Sequence, residues 1–176
     1  MKLERIVLLL GGLTILGSFI LPYFELDSSL TTGDSSLTLT GVDIFQTILN
    51  QFGAMDFPGG VPLIEFAAEK WNTAEGFEGL GLVAGLLAVM GIPLWFGSHA
   101  LGYIFRALRG RQYSHGIFFS LLFLGFAWLM FYLWGGALGT SLNFFHMARI
   151  GFWVGFGGML LAAFSLFFEN AARKGV

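Results

Sequence analysis

"IVLLLGGLTILGSFILPY", residues 6–23, is an uninterrupted apolar run that follows Lys2 and Arg5. The hydrocarbon core of a bilayer is about 30 Å thick, and a helix needs about 20 apolar residues to cross it. We therefore predict that this run forms a membrane-spanning helix. Because the following "GSFILPYFEL" has no small-x-small cleavage site, we expect the helix to be retained and not removed as a signal peptide.

Three further apolar runs lie downstream, at residues 80–105, 116–139 and 150–168. The composition agrees with them, because 56% of the residues are hydrophobic and only 11% are charged. A soluble domain carries about 25% charged residues. The sequence thus predicts an all-α integral membrane protein with a bundle of four transmembrane helices. The whole chain, residues 1–176, would form one membrane domain, with an outer loop at residues 24–79.

The predicted outer loop begins with a strand pattern. "FELDSSL" and "SSLTLTG" flank the turn sequence "TTGD", and leucines alternate with polar residues on both sides, which predicts a short β-hairpin. The next segment, "VDIFQTILNQF", repeats apolar residues at helical spacing and predicts an amphipathic helix at the membrane interface. Asp43 stands at its start, where we expect it to cap the helix.

The basic residues predict the orientation. Seven of the nine would share one side of the membrane: Lys2, Arg5, Arg106, Arg109, Arg111, Arg173 and Lys174. Lys70 and Arg149 would lie on the other side, together with nine of the eleven acids. Cytoplasmic loops carry the excess of Lys and Arg. We therefore expect a multi-pass protein of a prokaryotic inner (plasma) membrane, with both termini cytoplasmic and residues 24–79 outside.

Arg106, Arg109 and Arg111 form a compact basic patch in "RALRGRQYSH". We interpret it first as the determinant of orientation. The alternative is specific recognition of anionic lipid headgroups, which such patches attract by about 1 kcal/mol per charge. The net charge of −2 and the lack of a basic stripe argue against a nucleic-acid partner.

Pairs of glycines spaced by four residues occur in the predicted helices. They are Gly81 and Gly85, Gly135 and Gly139, and Gly151 and Gly155. Small residues at this spacing let membrane helices approach closely. We expect most of these pairs to pack within the bundle, and one of them to face a neighbouring subunit as an alternative.

His99 lies within the second predicted span, with Tyr103 one helical turn away. Ionisable residues at membrane depth are costly and suggest function. A neutral, hydrogen-bonded packing histidine is the expected role, and a quinone or lipid contact is the alternative. Haem binding would need a second axial ligand at the same depth, and neither His115 nor His146 supplies one. We therefore expect no cofactor and no metal.

"NFFHMARIG", residues 143–151, contains the unusual cation Arg149. If the fourth helix extends outward, Asn143, His146 and Arg149 fall at successive i+3 positions on one face. A cation near a helix N-terminus is disfavoured by the helix dipole. We therefore expect Arg149 to pair with the acidic outer loop. Lipid phosphate, a neighbouring subunit and a substrate are the alternative partners.

The order of one helix, a β-forming outer loop and three further helices resembles the topology of claudin-like four-helix proteins. The Trp, Gly-Leu-Trp and paired Cys of that family's first loop are missing, so no family is assigned. No HExxH, GxSxG or P-loop motif is present, which argues against an enzyme.

We expect a non-enzymatic accessory or structural subunit that packs on other membrane-protein subunits, on itself and on lipids. The alternatives are a quinone- or lipid-binding redox-chain subunit, and an oligomeric channel or small transporter. The last rests on the glycine content and on Pro93, which can kink the second helix. No Asp or Glu lies within the four spans, which argues against cation transport through a monomer.

Overall fold

The structure is a computed structural model that describes residues 2–26, 37–51, 79, 81, 84–85, 90–110, 117–137 and 143–174. These residues are mostly helical. The helices with defined bounds are α1 (Leu3–Ser18), α2 (Gly41–Gln51), α3 (Ile92–Arg109), α4 (Ile117–Ala137), α5 (Phe144–Met147) and α6 (Ile150–Lys174). The strands are β1 (Pro22–Leu26) and β2 (Leu37–Thr40). Residues 79, 81, 84 and 85 are also helical.

α1 ends at Ser18, five residues before the end predicted from the apolar run. Proline has no backbone N–H and disfavours helical backbone in the residue before it, so Pro22 ends the helical pattern. The chain turns at Phe19, whose N–H donates to the Leu16 carbonyl at 3.2 Å. It then enters β1, so the predicted helix end at Tyr23 is wrong.

β1 and β2 form the predicted antiparallel pair, with Phe24 opposite Leu39 and Leu26 opposite Leu37. The register shifts between Pro22 and Phe24, which is a β-bulge at Tyr23. The pair of strands predicted from the alternating leucines is thus confirmed. The predicted turn between them lies outside the described residues.

α2 follows β2 without a break and begins with a capping box. The Asp43 N–H donates to the Thr40 hydroxyl at 3.1 Å, and the Asp43 carboxylate accepts from the Thr40 N–H at 3.0 Å. This reciprocal arrangement satisfies two donors at the helix start. Ile44 is buried, and Phe45 packs edge-on against Phe19 with ring centroids 5.8 Å apart. α2 therefore lies against the end of α1.

α1 and α6 run antiparallel and touch through their backbones. A Cβ atom at Gly158 would lie 2.8 Å from the Gly11 carbonyl oxygen, and one at Gly11 would lie 2.7 Å from the Gly158 carbonyl oxygen. On the other side of α1, a Cβ at Gly12 would lie 3.0 Å from the Ala100 carbonyl oxygen of α3. Consecutive residues point about 100° apart around a helix, so Gly11 and Gly12 serve two different neighbours.

α4 is attached through aromatic rings. Its Phe123 meets Phe96 of α3 at 5.1 Å between centroids. Near its other end, Phe131 meets Phe24 of β1 at 5.2 Å and Phe144 of α5 at 5.3 Å. These contacts place α4 antiparallel to α3. Phe131 is fully buried at the point where β1, α4 and α5 meet.

Two of the described helices are long and apolar enough to cross a membrane, Phe118–Gly136 in α4 and Ile150–Phe168 in α6. They correspond to the third and fourth predicted spans. α1 has 16 residues, and most of the first part of the predicted span at residues 80–105 lies outside the described residues. The four-span membrane bundle therefore stays a prediction.

The basic residues lie mostly at one end of the helices. α3 continues to Arg109 and closes at Gly110, whose φ is +68°. α6 continues to Lys174, six residues beyond the predicted end. Because α1 is antiparallel to both α3 and α6, the start of α1 lies beside the ends of α3 and α6. We call this the basic end, since it collects Lys2, Arg5, Arg106, Arg109, Arg173 and Lys174. The strands, α2 and Arg149 lie at the opposite end, which we call the sheet end.

Candidate functional site

The segment 143–151 does not continue α6 as predicted. Asn143 caps the short α5, and its side-chain oxygen accepts a hydrogen bond from the Phe145 N–H at 3.1 Å. α5 ends because Ala148 has an extended backbone, with φ −71° and ψ 116°. The stripe of Asn143, His146 and Arg149 depended on an outward extension of the fourth helix, and α6 instead begins at Ile150.

Pairing with β1 explains this break. Ala148 forms an isolated antiparallel bridge with Phe24, and the Arg149 N–H donates to the Tyr23 carbonyl oxygen at 2.9 Å. The Trp153 indole N–H donates to the Ala148 carbonyl oxygen at 3.3 Å. β1 thus has β2 on one edge and Ala148 on the other. The Ala148 N–H still donates to the Phe144 carbonyl oxygen at 2.8 Å, whereas the next N–H, that of Arg149, has an acceptor in β1 in place of a helical one.

Gly151 makes this pairing sterically feasible. A Cβ atom there would lie 2.7 Å from the carbonyl oxygens of both Leu21 and Pro22, so only glycine fits beneath the turn after α1. One turn later, a Cβ at Gly155 would lie 3.0 Å from the Ser18 hydroxyl and 3.1 Å from the Phe96 ring. The predicted glycine pair 151/155 therefore faces the interior of the molecule.

Arg149 forms an ion pair with Glu25 of β1. Glu25 is the first acid of the predicted outer loop, and it supplies the negative charge that a cation near the α6 N-terminus requires. The two side chains are 46% and 30% exposed, so water screens the attraction. The pair adds a side-chain contact beside the backbone pairing of Ala148 and Arg149 with β1.

A buried pair of hydroxyls lies beneath the ion pair. The Ser18 hydroxyl donates to the Ile15 carbonyl oxygen at 2.7 Å. Its one hydrogen is thereby used, so the Tyr23 phenol donates to Ser18 Oγ at 2.6 Å. Burial raises the pKa of the Tyr23 phenol, which keeps it protonated. This pair was not predicted from the sequence, although a serine and a tyrosine at the end of an apolar run are a detectable signal.

His99 and Tyr103 lie together on α3, against α4. The His99 Nδ1 is 3.0 Å from the Trp95 carbonyl oxygen, which can only accept, so Nδ1 carries the hydrogen. The imidazole stacks on Trp95 at 4.9 Å between centroids and on Phe119 at 5.8 Å, and it meets Tyr103 edge-on at 5.7 Å. This geometry describes a hydrogen-bonded histidine within an aromatic cluster.

The remaining predicted residues are placed as follows. Gly81 and Gly85 are buried, and a Cβ at Gly85 would lie 2.8 Å from the Trp134 indole of α4. Arg106 and Arg109 occupy the last turn of α3, while Arg111 lies outside the described residues, as does Gly139.

At the sheet end, Ala148, Arg149 and Gly151 therefore hold the start of α6 against β1.

Across the described part of the chain, no group of three or more His, Cys, Asp or Glu residues is arranged to hold a metal ion. In comparisons with known proteins, no family model, no curated protein and no solved structure matches this chain.

Proposed function

We propose that the chain is a small integral membrane protein in which α1, α3, α4 and α6 belong to four membrane-spanning helices. The observation that carries this proposal is the exposure of large apolar side chains on all four. They include Leu10, Leu13, Leu101, Phe105, Phe118, Tyr132, Phe164 and Phe167. Soluble monomers rarely expose apolar patches larger than a few hundred Å², whereas lipid tails accept such faces.

The charge distribution supports an orientation. The basic end carries six Lys and Arg residues and two acids, Glu4 and Glu169, and the sheet end carries Glu25, Asp43 and the paired Arg149. We place the basic end, with both termini, in the cytoplasm, in line with the excess of positive charge on cytoplasmic loops. The strands and α2 then lie outside.

Within the membrane, we propose that the protein is a non-enzymatic accessory or structural subunit of a larger complex. One surface of α4 supports this role, and we call it the α4 outer face: Phe118, Leu121, Leu122, Gly125, Trp128, Leu129 and Tyr132. Its large side chains are 41–73% exposed, and a Cβ at Gly125 would meet no atom within 4 Å. A glycine among large apolar residues gives a partner helix a place for close approach.

A pull-down experiment tests the subunit role. The full chain is tagged, extracted in a mild detergent, and its co-purifying proteins are identified for the natural chain, Gly125→Leu and Gly157→Leu. Gly157 also has open space around it, but it lies on α6 and serves as the matched control. We expect a stoichiometric partner or a second copy, lost with Gly125→Leu and retained with Gly157→Leu. A monodisperse monomer of the natural chain contradicts the subunit role.

Membrane location has its own test. After carbonate washing of cell membranes, the chain should stay in the pellet, because four apolar helices cannot be released by breaking ionic contacts. Recovery in the supernatant would refute the membrane proposal and everything that depends on it.

A quinone- or lipid-binding redox-chain subunit is the second candidate. It is supported by the His99–Tyr103 pair beside Trp95, whose ring is 38% exposed on the surface of the bundle. A quinone in the lipid extract of the purified protein, lost with His99→Phe and retained with Arg149→Gln, would favour it. An extract without quinone, together with a visible spectrum without haem, would exclude it.

A further inference from the structure

Arg5 is held in a defined place at the basic end. A Cβ atom at Gly110 would lie 2.5 Å from Arg5 Nη2 and 2.6 Å from its Cζ, so the guanidinium lies directly on the glycine that closes α3. The φ of +68° at Gly110 independently favours glycine. The end of α3 and the start of α1 are thereby brought together, with Arg5 lying across the junction.

Two arginines at this end, Arg5 and Arg109, differ from Arg149. Among the described residues, Arg149 pairs with Glu25, whereas neither Arg5 nor Arg109 forms an ion pair with a carboxylate. Lys2 adds a further exposed cation in the same place. Two acids, Glu4 in the first turn of α1 and Glu169 near the end of α6, stand at this end against six basic residues. The carbonyl groups that end α3 add only partial negative charge. The basic end therefore carries net positive charge that can bind an anion.

Apolar side chains surround these cations. The Arg109 guanidinium lies over the Phe105 ring, 5.2 Å from its centroid, and that ring is 56% exposed. Leu101, one turn further from the helix end, and Leu3 and Ile6 of α1 are also exposed. Charge at the helix ends thus adjoins an apolar surface that runs along the helices. That is the pattern of a phospholipid, with its phosphate at the membrane surface and its chains below.

We propose that the basic end binds an anionic phospholipid, with its phosphate between Arg5 and Arg109 and its acyl chains along Leu101 and Phe105. The guanidinium group suits this ligand because its planar set of donors matches phosphate oxygens in pairs. The inference rests on the proposed membrane location. The proposed lipid site is more than a determinant of membrane orientation. Orientation requires only an excess of positive charge on one side of the membrane, whereas the lipid site requires Arg5 in a fixed position.

The experiment measures lipid affinity in detergent, where the protein has no inside or outside and the orientation role gives no signal. Phosphatidylglycerol and phosphatidylcholine with identical chains are titrated into the purified full chain, and bound lipid is counted by native mass spectrometry. We expect the natural chain to prefer phosphatidylglycerol at least tenfold. Arg5→Gln with Arg109→Gln should weaken phosphatidylglycerol binding about thirtyfold and leave phosphatidylcholine binding unchanged.

Two further variants control for misfolding and for the effect of net charge. Arg109→Gln alone changes an exposed side chain, so it should fold normally and weaken phosphatidylglycerol binding about fivefold. Arg149→Gln removes a cation at the sheet end and should leave both lipids unaffected. A loss with Arg149→Gln as large as with the double variant would overturn the site, because it would show attraction by net charge alone.

The remaining outcomes distinguish a lipid headgroup from a free phosphate ion, and they distinguish failure of the lipid site from failure of the membrane location. Displacement of phosphatidylglycerol by millimolar inorganic phosphate would assign the site to a free phosphate ion and overturn the lipid proposal. Equal affinity for the two lipids in a chain that resists carbonate washing would refute the lipid site and leave the membrane proposal intact. Release of the chain by carbonate would refute both.

Discussion

At the α1–α6 crossing two helix backbones touch, whereas α4 is joined to its neighbours through rings. Gly11 and Gly158 approach until each would place a Cβ atom within 3 Å of the other's carbonyl oxygen. Phe123 and Phe131 of α4 instead reach across to Phe96, Phe24 and Phe144, with centroids 5.1–5.3 Å apart. The glycine contact is lost when a larger residue replaces a glycine, and the ring contacts are lost when a phenylalanine side chain is truncated.

Under the proposed membrane location, the difference follows from how helices associate in lipid. Because lipid tails are as apolar as leucine, helices gain little from burying apolar surface against each other and depend on van der Waals packing. Backbone contact at glycine gives a close fit, and interlocking rings give many contacts over a longer distance. Enlarging a glycine at the first contact and truncating a ring at the second should therefore both lower stability, by different amounts.

The largest effect is expected for Gly158→Leu. Its Cβ would meet the Gly11 carbonyl oxygen at 2.8 Å and the Ile15 N at 3.1 Å, and backbone atoms cannot rotate away. We expect a loss above about 4 kcal/mol, in the exceptional range for one substitution. The measurement is SDS-induced unfolding in detergent, followed by circular dichroism. Gly157→Leu, beside it in open space, should change stability by less than about 0.5 kcal/mol. Equal losses would remove the distinction between the two kinds of contact.

Phe131→Ala should come next, because it removes the ring that joins α4 to β1 and α5. We expect a loss of about 3 kcal/mol, at the low end for phenylalanine truncation because transfer to lipid recovers part of the cost. The same SDS titration measures it. Phe126→Ala, at an exposed ring of α4, is the matched control and should cost less than about 1 kcal/mol. A smaller loss at Phe131 than at Phe126 would show that rings do not hold α4.

Ser18→Ala tests the buried hydroxyl pair. It leaves the Tyr23 phenol without its acceptor in a fully buried place, so we expect a loss of about 2 kcal/mol. In a Tyr23→Phe background the same substitution should cost less, because no donor is then left unpaired. Stability of all four combinations in one double-mutant cycle measures this coupling. Additive losses would contradict the hydrogen bond as the source of the effect.

The smallest change in stability is expected for Arg149→Gln. Its ion pair with Glu25 is partly exposed, so the loss should be below about 1 kcal/mol. Limited proteolysis gives the more sensitive measurement, because releasing β1 should speed cleavage near residues 31–34. Glu25→Gln should have the same effect, and the double variant should add little to it. Unchanged cleavage in both single variants would show that the backbone pairing at Ala148 suffices.

Features with a local cause could be predicted from the sequence. The apolar runs at 116–139 and 150–168 contain the two helices of spanning length, and the alternating leucines predicted the strands. Asp43 was correctly placed at the start of α2. Each of these signals depends on the spacing of residues close together in the chain.

Features that depend on distant residues could not be predicted. The break at Ala148 exists because β1 pairs with it, and nothing near Ala148 in the sequence indicates this. Glycine spacing pointed to several pairs, but which glycines meet depends on how helices cross, and the Gly11–Gly158 contact was missed. The charge count indicated nine acids on the same side as Arg149 without distinguishing Glu25.

The contact between Gly11 and Gly158 joins the first and last long helices, so it can form only after almost the whole chain has been made. At about 5–20 residues per second, a ribosome needs roughly seven to thirty seconds to make the chain between them. Throughout that interval α1 has its glycine surface without its final neighbour. In the proposed membrane protein, that surface therefore faces lipid or another helix until α6 has been made.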